Sequence, residues 1–167
     1  DIAEVSSTAS KLSPVGAEVD DQSMTVLRFA DGKMGYVGSC WTSPGIFSVR
    51  VFGSKGLMHY EIDFGTWDTP HLLHKASVLY IQRGKDGWAK REEVPLPESD
   101  MFRAELEMFA ESCASGKPNE LTAYNGNVAV AVVYAALKSI DRKGQAVRVA
   151  DVIEETHAKI GTAARAA

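Results

Sequence analysis

Four strand-like runs follow one another between Ser23 and Asp63, joined by short connections. The first is Met24–Phe29. Asp31-Gly32 comes after it, a dipeptide that tolerates the positive φ angles of a tight hairpin. Lys33–Trp41 and Phe47–Phe52 are the next two runs. Gly53-Ser54-Lys55-Gly56 makes another tight turn, and Leu57–Ile62 returns as the fourth. Short connections favour antiparallel neighbours. An antiparallel sheet is therefore expected first, with the rest of the chain covering it.

The two faces of that sheet differ. In the third run a period of two puts Phe47, Val49 and Val51 on one side. Ile46, Ser48, Arg50 and Phe52 fall on the other. The first face is wholly apolar and is expected to lie under helices. The second is too apolar for a fully solvated face, and a core would not hold its arginine unpaired. A protein or ligand contact surface fits both observations. So does a solvated face with a few exposed hydrophobes.

Around this sheet the pattern is mixed. Asp1–Ser10 alternates like a strand, and residues 11–22 are a polar loop. The opening without Met, already in strand alternation, is what a piece of a longer protein would show. Ser77–Gln82 and Trp88–Val94 read as a second hairpin, ended by Pro95 and Pro97. The period then changes. Phe102, Leu106, Phe109, Ala110 and Cys113 form one helical face, with Ser99 or Asp100 as cap and Gly116 then Pro118 as stop. A second helix is expected from about Asn127 to Lys143, apolar on nearly every side and hence buried at the centre. A short strand over Ala146–Val149 and a last helix from Asp151 to about Ile160 complete the chain, with a frayed end after Thr162. Strands first and helices afterwards predict an α+β fold. It is one domain over residues 1–167, a large mostly antiparallel sheet with helices on one face and the other open for dimerisation.

Composition narrows the function classes. At 167 residues the chain is long enough for a real core. Its 18 basic against 22 acidic residues leave no excess to neutralise phosphates, which argues against nucleic acid as a partner. The longest apolar run, Val128–Leu137, is too short to span a bilayer. Cys40 and Cys113 have no ligand-like spacing and read as small buried hydrophobes, which suits a reducing, cytoplasmic compartment.

Chemistry-bearing motifs are scarce. The glycines of Gly32–Gly38 sit within a hairpin, not between a strand and a helix N-terminus, so they do not form a phosphate cradle. His71-Leu72-Leu73-His74 could put two imidazoles on one helical turn near Asp63 or Asp68. A zinc site wants a third ligand and a second shell, so no metal is assigned. No serine or cysteine is tied by pattern to a histidine and an acid. The residues alone support no catalytic centre.

Several strings together, however, resemble the C-terminal domain of the Gfo/Idh/MocA family of NAD(P)-dependent oxidoreductases. They are Val26–Gly35, Ser48–Gly56, Phe109–Ser112 with Gly116–Pro118, Asn125–Val130 running to Ala135–Ser139, and Gly144–Val149. Family members begin with a Rossmann domain, whose Gly-rich fingerprint, Glu-Lys-Pro string and Asp-x-x-x-His helix are all lacking here. The resemblance thus implies the sheet half of a sugar or polyol oxidoreductase, inactive alone and without a cofactor-binding residue. NAD or NADP is expected in the parent protein. The resemblance also implies that Trp41, Phe47, Phe102 and Arg103 line substrate, though residue by residue core or interface packing accounts better for the aromatic ones. It implies further that the face with Ile46, Ser48, Arg50 and Phe52 packs against another subunit in a homodimer or higher oligomer. The competing reading is a standalone, non-enzymatic α+β module that binds a small molecule or protein through that face.

Overall fold

A computed structural model of the chain describes residues 1–14, 16, 18–43, 45–63, 65, 69–84 and 87–166. Among these the strands are β1 (Ile2–Ser10), β2 (Gln22–Phe29), β3 (Met34–Cys40), β4 (Ile46–Gly53), β5 (Gly56–Asp63), β6 (Ser77–Arg83), β7 (Arg91–Glu93) and β8 (Val147–Arg148). The α-helices are α1 (Leu73–Ala76), α2 (Met101–Ser115), α3 (Ala123–Asp141) and α4 (Val149–Ala166). A 3₁₀ turn, Pro70–Leu72, leads into α1. The fold class is α+β.

The strands form two four-stranded sheets, in the orders β3-β2-β1-β8 and β4-β5-β6-β7, and every pairing is antiparallel. The four runs between Ser23 and Asp63 are thus all strands, but they divide two and two. β3 pairs with β2 and β4 with β5. The chain correspondingly splits into two compact units, Asp1–Ser43 with Glu120–Ala167, and Pro44–Asn119.

In the first unit α3 lies over β1. Its core joins Val5, Ala131, Ala135, Val147, Val149 and Val152. Ala131 and Ala135 are the reason the helix approaches closely, since neither carries anything beyond a Cβ. β8 is only two residues long and pairs with Glu4 and Val5 alone. Further along the same edge, the Ser7 N–H donates to Ser139 Oγ on α3 at 2.9 Å. That hydroxyl in turn donates to the Gln145 carbonyl at 2.7 Å. Ser139 is 0% exposed, so one hydroxyl satisfies the buried Ser7 N–H and bonds the part-buried Gln145 carbonyl where the strand ladder has run out.

α3 begins earlier than its apolar run, at a capping box. The Thr122 N–H donates to Asn125 Oδ1 at 3.0 Å, and the Asn125 N–H donates back to Thr122 Oγ1 at 3.3 Å. Its apolar character all round does not make it buried all round. Ala131, Ala135 and Ser139 face the sheet, while Val130, Val133, Tyr134 and Leu137 stay exposed.

In the second unit, β4 is an edge strand, and Phe47, Val49 and Val51 remain exposed instead of lying under a helix. Phe47 meets Tyr60 edge-on, with ring centroids 6.5 Å apart. The β4–β5 turn needs its glycine. At Gly56 φ is +152°, and a Cβ would sit 2.2 Å from the Gln82 carbonyl oxygen. The turn residues Lys85 and Asp86 of the second hairpin lie outside the described residues.

α2 starts at Asp100, whose side chain accepts from the Phe102 and Arg103 N–H groups, and ends at Gly116 in the left-handed region. Its expected packing face stays exposed at Phe102, Leu106, Phe109 and Cys113. Cys40 is exposed too, at the end of edge strand β3, so both cysteines are free thiols on the surface and not buried hydrophobes.

Replacing Ser139 by Ala orphans the buried Ser7 N–H and removes the partner of the part-buried Gln145 carbonyl. A loss of about 2 to 4 kcal/mol is expected, and a fall in Tm on the order of 8 °C. Calorimetry on S139A beside S112A measures it. The Ser112 hydroxyl makes a similar bond to the Lys117 carbonyl, but at the surface, and its loss should stay below about 1 kcal/mol. Equal effects would show that the Ser139 bonds carry no special weight.

Candidate functional site

The strand register decides which side chains of the first sheet share a face with α3. Ser7 stands opposite Thr25, Ala9 opposite Ser23, Thr25 opposite Val37 and Ser23 opposite Ser39. Because α3 sits over β1, the part of this face on β2 and β3 is left open. A groove of about 350 Å³ results. Its floor sets the small polar Ser7, Thr25 and Ser39 among the apolar Ala9, Leu27 and Val37. Its wall is apolar, with Val132, Ala136 and Leu137 of α3, and Trp41 stands at its lip. Ser7 Oγ and Thr25 Oγ1 are 2.7 Å apart and bond to each other. Asp20 and Asp21 are the charged residues along the groove among those described.

Trp41 is held by the connection between β1 and β2. Its backbone N–H donates to the Asp21 carbonyl and its indole Nε1–H to the Asp20 carbonyl, each at 3.1 Å. The ring is 55% exposed, so it offers a free aromatic face with a fixed orientation. Asp21, 3% exposed, anchors that connection. Its carboxylate accepts from the Leu12 N–H at 3.1 and 3.2 Å and from the Ser13 N–H at 2.6 Å. These bonds, Leu12's first, hold its carboxyl below the ordinary carboxylate value, against the desolvation that burial imposes. Asp21 is thus a positioning residue for Trp41.

A nicotinamide dinucleotide needs a glycine turn between a parallel strand and a helix N-terminus to receive its pyrophosphate. The described residues do not fit it. Both sheets are antiparallel, and Gly32, at φ +84°, closes the β2–β3 hairpin. The histidine pair does not build a metal centre. His71 is in the 3₁₀ turn, His74 is in α1, and Asp68 lies outside the described residues. Among the described residues no three His, Cys, Asp or Glu side chains gather as a metal site would require. No helix among them is long and apolar enough to cross a membrane.

The GFO/IDH/MocA C-terminal domain matches residues 1–59 by sequence. A crystal structure of a protein assigned as an NADPH-dependent oxidoreductase, from Desulfitobacterium hafniense, superposes with a TM-score of 0.82 at 30% identity. The match covers 91% of this chain and 44% of that one. An assignment to the GFO/IDH/MocA C-terminal domains fits both findings. An aldose-aldose oxidoreductase from Caulobacter crescentus, complexed with glycerol, shares the fold at TM-score 0.70 and 22% identity, over 89% of this chain and 41% of its own. So does a levoglucosan dehydrogenase in complex with NADH and L-sorbose, at TM-score 0.66 and 18% identity, over 89% and 45%. No curated protein matches by sequence. The chain spans less than half the length of the solved structures it matches.

The residues singled out from sequence are spread over both units. Trp41 belongs to the first. Phe47 on β4 and Phe102 and Arg103 on α2 belong to the second, where Arg103 Nε pairs with Glu107 at 2.7 Å. Sequence reasoning missed the groove itself. Ser7, Thr25, Ser39 and Asp21 carry no motif, and their one signal is the run of small residues at alternate positions of β1 and β2.

The Asp21 shift fixes a pH dependence. Its folded pKa lies below its unfolded one, so its stabilisation is complete above about pH 4. It is lost as pH falls through the folded value. Urea midpoints of the wild type should exceed those of Asp21→Asn by a constant margin between pH 5 and 7, and the margin should shrink below pH 4. A margin that does not change down to pH 2.5 would rule out the ionised carboxylate as the anchor.

Proposed function

We propose that this chain is the substrate-binding and oligomerisation part of a cytoplasmic NAD(P)-dependent oxidoreductase of sugars or polyols, inactive by itself. The observation that supports this most is the 30% identity sustained over 91% of the chain against less than half of an NADPH-dependent oxidoreductase. What the chain does not offer, a pyrophosphate cradle, is what such an enzyme's other half supplies when it binds the nicotinamide and accepts or delivers the hydride.

The groove suits a neutral, hydroxyl-rich ligand. Trp41 presents an aromatic face against which the C–H side of a sugar ring packs, and Ser39, Gln22 and Asp20 stand near with polar groups for its hydroxyls. Glycerol, L-sorbose and levoglucosan, the ligands of the structural neighbours, have this character. Phe47, Phe102 and Arg103 are proposed to contact substrate on the second unit. The face with Ser48, Arg50 and Phe52, with Ile46, whose side chain lies outside the described residues, is proposed as the subunit contact. On this reading the parent protein takes NAD or NADP, and the isolated chain binds neither.

The full-length gene product should reduce NAD⁺ or NADP⁺ with at least one neutral aldose or polyol. Trp41→Ala should raise KM roughly tenfold, the loss of about 1.4 kcal/mol of aromatic contact. The isolated 167-residue chain should bind neither NADH nor NADPH in a calorimetric titration. Micromolar binding by the chain alone, or no cofactor reduction across the panel, would overturn the proposal.

A further inference from the structure

The start of α3 is built from poor helix formers. Asn125, Gly126 and Asn127 follow one another at its third, fourth and fifth positions. Each weakens a helix relative to Ala, the glycine most. The fold does not require that glycine. Gly126 has no positive φ, and a Cβ added there would meet no atom within 4 Å. A helical glycine with neither a conformational nor a packing reason draws attention to the residue before it.

Asn125 is exposed, and the two ends of its amide are held differently. Oδ1 accepts from the Thr122 N–H at 3.0 Å and from the Thr122 hydroxyl. Nδ2 has no partner among the described residues. The Gly126 N–H donates to the Thr122 carbonyl at 3.2 Å, the first bond of the helix ladder. An asparagine followed by glycine carries its own reaction. The glycine nitrogen loses its proton and attacks Cγ. A C–N bond forms, the Cγ–Nδ2 bond breaks, and Nδ2 leaves as ammonia with the proton the backbone gave up. The product is a five-membered succinimide. Water opens the ring at Cγ to leave aspartate, or at the backbone carbonyl to leave isoaspartate, whose main chain runs through Cβ and Cγ. Glycine favours the closure because no Cβ hinders its nitrogen and its backbone turns freely. The chain has three asparagines, Asn119, Asn125 and Asn127, followed by Glu, Gly and Val.

We infer that Asn125 is a deamidation site gated by the capping box of α3. The succinimide ring takes Asn125 out of the helical ψ range, so it closes only when the first turn is open. In the closed turn the attacking nitrogen and the attacked carbonyl are both tied to Thr122. Helix ends open more readily than helix centres, and this end is weakened by its sequence. The two products then diverge. Aspartate keeps the box, since its carboxylate accepts from the Thr122 N–H and suits the positive end of the helix dipole. Isoaspartate lengthens the main chain by one carbon, so the Gly126 N–H no longer meets the Thr122 carbonyl and the first turn stays open. The core residues of α3, Ala131 and Ala135, lie beyond that turn, and the helix keeps its place on β1.

The test is peptide mapping by mass spectrometry on the full chain aged in mildly alkaline buffer. Asn125 should convert to aspartate and isoaspartate while Asn119 and Asn127 stay intact. The chain unfolded in guanidinium chloride should convert at least roughly tenfold faster, since its turn is always open. Thr122→Ala should speed conversion in the folded chain roughly fivefold, the shift in opening that an ordinary N-cap holds back. Thr122→Ser keeps the hydroxyl and should convert like the wild type. Circular dichroism on both variants separates an open turn from global unfolding. Gly126→Ala fits the space around it and should abolish the conversion while raising Tm. An intact Asn125 in the folded wild type, by the time the unfolded chain is fully converted, would overturn the site. A folded Thr122→Ala that converts no faster than the wild type would overturn the gating.

Discussion

The first unit depends on a hydroxyl placed where its sheet runs out of partners. β8 offers two residues to β1, and β1 goes on for five more. An unpaired N–H on that edge, buried under a helix, would cost about as much as a lost hydrogen bond. Ser139 meets the need from α3 and passes its own proton to the Gln145 carbonyl, in the turn that leads back to β8. One side chain so ties together strand, helix and return loop. It also sets where α3 lies. Held over β1 at Ser7, the helix does not cover β2 and β3, and the open remainder is the groove at Trp41. The site is thus a consequence of how the sheet edge was closed.

Much of the architecture was legible because local rules decide it. Asp31-Gly32 and Gly53–Gly56 closed the hairpins they announced, and Asp100 and Gly116 bounded α2 as caps do. What was not legible is non-local. The residues of β3 and β4 both read as strands, and nothing in alternation says whether two such strands pair with each other or belong to different sheets. The start of α3 was hidden because Asn125-Gly126-Asn127 reads as a turn. Only the reciprocal bonds of Thr122 and Asn125 make it a first helical turn. Cys40 and Cys113 were misplaced because the elements that hold them, edge strand β3 and the apolar face of α2, leave them exposed.

The candidate site shows the same division. Trp41 drew notice only through the family resemblance, and the structure gives it a fixed ring over a groove. The groove's floor mixes Ser and Thr with Ala, Leu and Val, and its wall is Ala, Val and Leu, residue types that occur everywhere. Only the register that sets Ser7 by Thr25 and Thr25 by Val37 collects them. Asp21 looked like one acid among three in a polar loop. Its role is visible only once Leu12 and Ser13 are seen to point their N–H groups at it.

Both sheets are antiparallel, and this limits the chemistry the chain can hold. A parallel strand feeding a helix aims backbone N–H groups and a helix dipole at one point, where an anion is bound. Hairpins do not do this, since each strand returns beside its neighbour and the ladder consumes the N–H groups. What an antiparallel sheet offers is area. One face can be buried against helices, and the other can carry chosen side chains in rows at fixed spacing. In the second sheet that row runs Arg50, His59, Tyr80, Glu93, with the inner pair engaged and the outer pair free. Such a face specifies shape and orientation through the side chains that stand in its rows, and no single motif announces it in the sequence.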